Sequence, residues 1–229
     1  LTIIMAIEPI NFVVFLMGPT ASGKTELAIE ISKRINSKLI SVDSALIYRG
    51  MDIGTAKPSK EILKSHPHEL VDICEPDDSF SVTEFISLAK KHIKSALAEG
   101  KLPILVGGTS FYFNALEHGL SELPASTDES RKHFNDLLRS EGSEKLHSKL
   151  VEIDPQSAAR IHSNDSQRVT RALEVFHLSG EALSKLQGKK NQNKLDLNIK
   201  KIVLMPDRAM LHQRIEQRFI KMIKDGFLD

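Results

Sequence analysis

The chain has 229 residues, 41% hydrophobic and 27% charged, with a formal net charge of +1. These values are typical of an ordinary soluble protein with one core, or one core plus a small appended domain, and they neither require nor exclude nucleic acid as a partner. The single cysteine, Cys74, excludes an internal disulfide framework and suits the cytoplasm, which is the compartment we expect. Residues 1–7 are apolar, but they are too short to span a bilayer and lack a basic leader, so we expect no membrane association.

The first predicted element is a buried strand over residues 12–17, which leads into a glycine loop and a helix over residues 24–35. The loop reads GPTASGKT and matches the phosphate-binding pattern G-x-x-x-x-G-K-[ST]. We expect eight residues to form a diphosphate-binding loop: Gly18, Pro19, Thr20, Ala21, Ser22, Gly23, Lys24 and Thr25. A chance glycine turn is the alternative, and it is disfavoured because strand, loop and helix occur in the required order.

Each part of such a loop has a physical task. Glycines let backbone N–H groups converge on phosphate oxygens, and the helix N-terminus adds partial positive charge. Lys24 supplies a full charge, and the Thr25 hydroxyl is a candidate ligand for Mg²⁺. The loop therefore predicts a polyphosphate ligand with Mg²⁺ as cofactor.

Further strands are predicted at residues 38–42, 69–73 and 102–106, with a short helix after Pro58. Ser81 and Glu84 have the spacing of a capping box, which predicts a helix from there to about residue 98. Alternating strands and helices indicate an α/β fold, with a P-loop parallel sheet flanked by helices.

The pattern changes after Gly119, where consecutive helices are predicted up to about residue 180. Thr127, Asp154 and Asp165 are the expected helix starts. A strand at 199–205 and a helix from Asp207 to residue 224 then return to the sheet. We therefore predict a catalytic core from residues 1–119 and 198–229, with a helical insertion domain at 120–197.

Two polar residues follow predicted strands. Asp43 comes directly after the strand 38–42, at the carboxyl edge of the sheet where ligands bind in open parallel sheets. Its carboxylate can ligate Mg²⁺, accept a proton or cap the following turn. Thr109 follows two glycines and can contact substrate or cap the next helix.

Basic residues are concentrated in one stretch. Nine basic and five acidic residues lie between Asp154 and Lys201. Arg168 and Arg171 are one helical turn apart, and with Gln167 they could contact phosphates and base edges. A solvated helix face is the alternative and, on charge alone, the more common explanation.

Several motifs together resemble one family, the tRNA dimethylallyltransferases, also called tRNA isopentenyltransferases. The resemblance covers nearly the whole chain and rests on GPTASGKT at 18–25, ISVDSALIY at 40–48, MDIGTAKP at 51–58, VGGT at 106–109, DSQRVTRALEV at 165–175 and residues 211–219. It implies a prenyltransferase that moves a dimethylallyl group from dimethylallyl diphosphate to N6 of the adenosine 3′ of the anticodon.

The resemblance also implies site residues. Arg218 joins Lys24, Asp43 and Thr109 as a catalytic residue, and the helical insertion binds the tRNA anticodon arm. The implied tRNA contacts are Asp43, Ser44, Ala45, Leu46, Thr109, Arg131, Gln167, Arg168, Val169, Thr170 and Arg171.

The chemistry agrees with the residues. The loop N–H groups, Lys24, Mg²⁺ on Thr25 and Arg218 would stabilise the diphosphate leaving group. Asp43 is the expected general base for the exocyclic amine, and Thr109 would position that amine. The adenine must leave its stack to reach the site, which costs roughly a few kcal/mol.

Two other functions remain open from the residues. A small-molecule kinase would hold ATP in the same loop, with Asp43 deprotonating an acceptor hydroxyl, although the strand at 102–106 does not end in the Mg²⁺-binding Asp usual for ATP hydrolysis. A non-catalytic RNA-binding module would keep the fold and bind tRNA without regard to diphosphate.

Family members continue well beyond Asp229, so the resemblance implies an incomplete tRNA channel, weak tRNA binding and reduced stability for these 229 residues. We expect a monomer.

Overall fold

The computed structural model describes residues 10–188 and 194–228. The apolar segment 1–7, two basic residues (Lys189 and Lys190) and Asp229 lie outside them. Five strands are present in these ranges: β1 (Phe12–Met17), β2 (Ser37–Val42), β3 (His68–Glu69), β4 (Leu102–Gly107) and β5 (Asn198–Val203). The helices there are α1 (Lys24–Ser32), α2 (Lys60–Ser65), α3 (Val82–Ala98), α4 (Ser110–His118), α5 (Asp128–Glu141), α6 (Ser143–Ile153), α7 (Pro155–Ala158), α8 (Ser166–Ser179), α9 (Leu183–Leu186) and α10 (Arg208–Lys224).

The strands form one parallel sheet in the order β3-β2-β4-β1-β5. The predicted α/β class, with a parallel sheet flanked by helices, is confirmed. Val42 pairs with Gly107 and Met17 also pairs with Gly107, so the carboxyl ends of β2, β4 and β1 lie side by side. This edge is where the predicted site residues emerge.

Apolar spacing explains why α3 covers the sheet. The buried residues are Phe85, Ile86, Ala89, Ile93 and Ala96, and after the adjacent pair at the start they recur at intervals of three or four residues. The predicted capping box is present, because Ser81 accepts a hydrogen bond from Glu84 N while the Glu84 carboxylate accepts one from Ser81 N. Local sequence therefore fixes both the start and the buried face of this helix.

The third strand is shorter than predicted. Only His68 and Glu69 pair with β2, because Leu70 (φ 64°) and Asp72 (φ 55°) adopt left-handed conformations that end the extended run. The prediction of a strand at 69–73 was wrong for its last four residues. Its apolar residues gave no sign of this turn, and Leu70 is still buried.

The chain divides into two compact units. One comprises the described residues up to His118 and from Lys194 onward, and the other begins at Gly119 and runs to residue 188. The second unit is helical, and its helices pack around the buried residues Phe134, Leu146, Leu150, Ala158, Val169, Ala172, Leu173, Val175, Leu183 and Leu186.

The expected helix starts in the second unit are confirmed. Thr127 caps α5, Asp154 accepts a hydrogen bond from Ser157 N, and Asp165 accepts one from Arg168 N. The α6 start after Gly142 and the short α9 were not predicted.

The last strand and helix expose much apolar surface. Val203 at the end of β5 is exposed, as are Met205 just after it and several apolar residues of α10 such as Phe219 and Ile220. None of the helices within the described ranges combines the length and apolarity needed to cross a bilayer.

Candidate active site

The glycine loop connects β1 to α1 as the sequence predicts. Gly23 precedes the helix with φ 90°, a left-handed conformation that glycine adopts readily, and Ala21 also has a positive φ of 59°. No side chain of the described residues caps the start of α1. The first N–H groups of this helix are therefore available to an anion.

Lys24 lies against its own loop. Its ammonium donates hydrogen bonds to the Pro19 carbonyl oxygen at 2.6 Å and to Ser22 Oγ at 3.3 Å. Burial lowers the pKa of Lys24, and the nearby Asp43 carboxylate opposes that shift. A phosphate would take over these donors and favour the charged ammonium.

Asp43 and Thr109 meet across two adjacent strand ends. Ser44 N donates to Thr109 Oγ1 at 3.2 Å, and Thr109 N donates to the Val42 carbonyl at 3.3 Å. Gly107 permits this approach, because a Cβ there would lie 2.0 Å from the Val42 oxygen. The structure thus brings together the two residues that the sequence singled out separately.

The two oxygens of the Asp43 carboxylate differ in their hydrogen bonding. Oδ1 accepts hydrogen bonds from Ala45 N at 2.8 Å and Leu46 N at 3.3 Å, which is the turn-capping role. Among the described residues, no hydrogen bond reaches Oδ2. One oxygen therefore holds the carboxylate in place while the other can accept a proton.

Arg218 reaches the same place from α10. Nη1 donates to Thr20 Oγ1 at 2.8 Å, and Nη2 donates to the Thr55 carbonyl at 3.0 Å. Burial lowers the pKa of Arg218, and the Asp43 and Glu26 carboxylates oppose this. The guanidinium therefore bridges the phosphate loop and the segment that contains Thr55.

These groups line one open cavity of about 860 Å³, a volume in the range of ligand sites. The predicted residues that line it are Thr20, Ala21, Ser22, Gly23, Lys24, Thr25, Asp43, Ser44, Leu46, Thr109 and Arg218. Gly18, Pro19 and Ala45 are described but do not line it. Its apolar wall includes Ile29, Leu46, Pro58, Ile62, Val71 and Val106.

Sequence reasoning missed other residues of this cavity. Arg214 lines it one helical turn before Arg218, a spacing that could have identified it. His68 also lines it; its Nδ1 lies 2.8 Å from the His66 carbonyl, and its Nε2 is buried without a partner among the described residues. Burial lowers the pKa of His68, which favours the neutral ring. Nothing in the sequence near His68 indicated this position.

The donor set fits Mg²⁺ bound together with a diphosphate. The described residues contain no cluster of three or more His, Cys, Asp or Glu that could hold a metal alone. Mg²⁺ is commonly bound through one or two protein oxygens, substrate phosphates and water. Thr25 and Asp43 both line the cavity and supply such oxygens.

The predicted tRNA contacts of the second unit occupy different environments. Arg131, Gln167 and Arg168 are exposed, and Arg168 pairs with Asp165 at 3.1 Å. Val169 is fully buried in the core of the unit, so its side chain cannot contact RNA in this conformation. The expectation for Val169 is corrected accordingly: it was chosen by its place in a motif, and its apolar side chain belongs to the inner face of α8.

Arg171 differs from Arg168 although the two are one turn apart. Its guanidinium donates to Ser126 Oγ at 2.7 Å, to the Pro124 carbonyl at 2.7 Å and to Glu174 at 2.6 Å. Glu174 is 5% exposed and also accepts hydrogen bonds from Ser126 and Ser130. Arg171 therefore satisfies a buried carboxylate, and the expected shared exposed face with Arg168 is not observed. Thr170 likewise donates its hydroxyl to the Ser166 carbonyl.

Comparison with known sequences identifies relatives along almost the whole chain. A profile of the family described as IPP transferase matches residues 46–229. A tRNA dimethylallyltransferase from Ruthia magnifica subsp. Calyptogena magnifica is 61% identical over 98% of this chain and 73% of its own length. A tRNA dimethylallyltransferase from Alkalilimnicola ehrlichii is 49% identical over 95% of this chain and 68% of its own.

Solved structures agree with these sequence relatives. The tRNA isopentenylpyrophosphate transferase from Bacillus halodurans is 39% identical, with a TM-score of 0.62, over 95% of this chain and 67% of that one. A eukaryotic dimethylallyltransferase acting on tRNA is 26% identical, with a TM-score of 0.74, over 95% of this chain and 54% of that one. The chain belongs to the IPP transferase family.

Proposed function

We propose that this chain transfers a dimethylallyl group from dimethylallyl diphosphate to N6 of the adenosine 3′ of the anticodon in tRNA. The observation that carries the proposal is the meeting, in one cavity, of an uncapped phosphate loop with the Asp43 and Thr109 side chains. Family membership supports a transferase over the kinase alternative.

The loop side of the cavity suits the leaving group. As the allylic C1–O bond breaks, its electron pair goes to diphosphate, whose charge would be met by the α1 N–H groups, Lys24 and Arg218. Mg²⁺, when bound, would neutralise further charge on the phosphate oxygens. Thr25 is the residue proposed to hold it.

The strand-end side suits the acceptor. N6 forms the new bond to C1 and loses a proton, which Asp43 Oδ2 would accept while Oδ1 stays bonded to the turn. The Thr109 hydroxyl oxygen accepts from Ser44 N, and its second lone pair can accept an N–H of the amine and so orient it. The apolar wall that includes Leu46, Ile62 and Val71 suits a five-carbon allyl chain.

The helical unit is proposed to bind the anticodon arm. Exposed Arg131, Gln167 and Arg168 can reach phosphates or bases, whereas Arg171 would act by keeping the 124–126 segment in place. A tRNA substrate is consistent with the cytoplasm as the compartment that we propose. A monomer suffices because one chain supplies every proposed group.

A transfer assay tests this function. The chain is incubated with Mg²⁺, an unmodified tRNA transcript and dimethylallyl diphosphate labelled in the allyl group, and in parallel with ATP labelled in the γ-phosphate. We expect label on the adenosine 3′ of the anticodon from the first donor only. Phosphoryl transfer from ATP, or tRNA binding without any prenyl transfer, would refute the proposal.

A further inference from the structure

The ammonium of Lys57 is a buried charge next to residues that line the cavity, Ala56 and Pro58. Its side chain is only 2% exposed, and Nζ donates to the Tyr48 carbonyl at 2.7 Å, to Asp52 at 2.8 Å and to Asp72 at 2.5 Å. An ammonium has three N–H donors, so all of them are used. Burial disfavours the charge, but the hydrogen bonds to Asp52 and Asp72 outweigh it and raise the pKa of Lys57.

The three acceptors belong to three different segments. Tyr48 lies on the segment 43–50, which begins with Asp43; Asp52 lies on the segment 51–58; and Asp72 lies on the segment 70–74. Backbone hydrogen bonds join the first and third, since Asp72 N donates to the Leu46 carbonyl at 3.1 Å. Lys57 ties the second segment to both.

The segment 51–58 forms part of the cavity wall through Thr55, Ala56 and Pro58. Ala56, directly before Lys57, has a φ of 52°, a conformation that L-residues adopt only when their surroundings impose it. The Thr55 carbonyl accepts the hydrogen bond from Arg218 Nη2. The position of the Thr55 carbonyl depends on the contacts that fix the segment 51–58. The orientation of the Arg218 guanidinium depends in turn on this carbonyl.

We infer that Lys57 is a positioning residue for the phosphate site. Its ammonium holds the segment 51–58 in the conformation in which the Thr55 carbonyl orients Arg218 toward the diphosphate. This inference rests on the proposed function. It predicts that Lys57 governs diphosphate affinity without touching the ligand, because its three donors already bind protein atoms.

The test compares Lys57→Met with Lys38→Met. Met keeps the length of the stem and removes the ammonium. Lys38 is a matched control because its ammonium also binds two partners, Ser95 at 3.1 Å and Glu99 at 2.6 Å, and its side chain is 16% exposed. Lys38 lies near the amino-terminal end of β2, opposite the site edge. We expect Lys57→Met to weaken calorimetric binding of inorganic diphosphate by about tenfold and Lys38→Met by less than about twofold.

A second measurement reports on the segment itself. In the ligand-free chain, amide hydrogen exchange within residues 51–58 should be faster in Lys57→Met than in wild type and unchanged in Lys38→Met. If Lys57→Met fails to fold, Asp72→Asn is the substitute. The Asp72 side chain is 41% exposed, and the variant should show smaller changes in the same direction.

A double variant tests the route through Arg218. In an Arg218→Met background, Lys57→Met should add less than about twofold to the loss of diphosphate affinity. Full additivity, unchanged affinity in Lys57→Met, or unchanged exchange at residues 51–58 would each overturn the inference while leaving the proposed function intact. A wild-type chain that binds no diphosphate would instead overturn both.

Discussion

The Arg218 guanidinium donates a hydrogen bond to the Thr20 hydroxyl at 2.8 Å, and so connects the last described helix to the phosphate loop. A charged donor on a neutral acceptor is a comparatively strong bond, and here it fixes one arm of the guanidinium. The other arm is fixed by the Thr55 carbonyl.

Thr20→Val should therefore weaken binding of inorganic diphosphate by about tenfold, because the Arg218 orientation is lost while the valine keeps the shape of threonine. Isothermal titration calorimetry measures this directly. Thr170→Val is the matched control, since Thr170 also donates a local hydrogen bond but lies in the helical unit. Equal losses in both variants would show that the bond to Arg218 has no role in the site.

Asp43→Asn should lower the rate of prenyl transfer by about 10² to 10⁴, while tRNA affinity changes little. The asparagine Oδ1 can still accept from Ala45 N and Leu46 N, so the turn is retained and only the proton acceptor is removed. Single-turnover transfer and tRNA binding are the two measurements.

Asp207→Asn is the control for this carboxylate, because Asp207 also accepts two backbone N–H groups, from Ala209 and Met210, at the start of α10. The rate of prenyl transfer by the Asp207→Asn variant should stay within about twofold of wild type, since asparagine is an equally good N-cap. Near-normal turnover in Asp43→Asn would eliminate Asp43 as the base.

Features encoded by neighbouring residues could be predicted from sequence. The glycine loop, the capping box at Ser81 and the strand ending at Val42 depend on contacts within a few residues, and the structure contains all of them. The meeting of Asp43 with Thr109 followed from a general rule, that parallel strands bring their carboxyl ends to one edge.

Features that depend on distant contacts could not be predicted. Whether an arginine is exposed depends on what folds against it. Arg168 and Arg171 look alike in sequence, yet only Arg171 finds a buried carboxylate. The early end of β3 depends on left-handed residues in an apolar run, and the Lys57 contacts join three segments that the sequence separates.

Arg168→Ala and Arg171→Ala should therefore have different effects. Arg168→Ala removes an exposed charge, so stability should stay within about 0.5 kcal/mol, while the log–log salt dependence of tRNA binding should flatten by about one unit. Arg171→Ala leaves the buried Glu174 without its cation and should cost about 3 kcal/mol of unfolding free energy.

Urea denaturation and filter binding at several salt concentrations separate these effects. Arg139→Ala is the control, because Arg139 is a highly exposed arginine of the same unit and is not a predicted tRNA contact. A destabilised Arg168→Ala, or an Arg171→Ala as stable as wild type, would contradict the assignment.

The buried carboxylate of Asp154 should make the helical unit sensitive to acid. Asp154 is 2% exposed and accepts hydrogen bonds from Ser157 N at 3.0 Å and Ser184 N at 2.9 Å. Burial acts to raise its pKa, but the side chains of Ser157 and Ser184, together with their backbone N–H groups, outweigh burial and lower the pKa from 3.8 to about 2. Because the folded-state pKa lies below the unfolded one, the stabilisation is fully present above about pH 4 and is lost as the pH falls toward 2.

A pKa shift of this size corresponds to about 2 kcal/mol of unfolding free energy. Asp154→Asn should lower the unfolding free energy by at least that much at pH 7, because an amide nitrogen cannot accept the second N–H. The difference in unfolding free energy between wild type and Asp154→Asn should therefore shrink as the pH falls from 4 toward 2. Urea denaturation followed by circular dichroism at a series of pH values measures it. Asp136→Asn, at an exposed carboxylate of α5 whose partner Arg139 lies 3.8 Å away, should show little change at any pH. If the difference in unfolding free energy for Asp154→Asn is the same at pH 7 and pH 2.5, the carboxylate is not held ionised by Ser157 and Ser184.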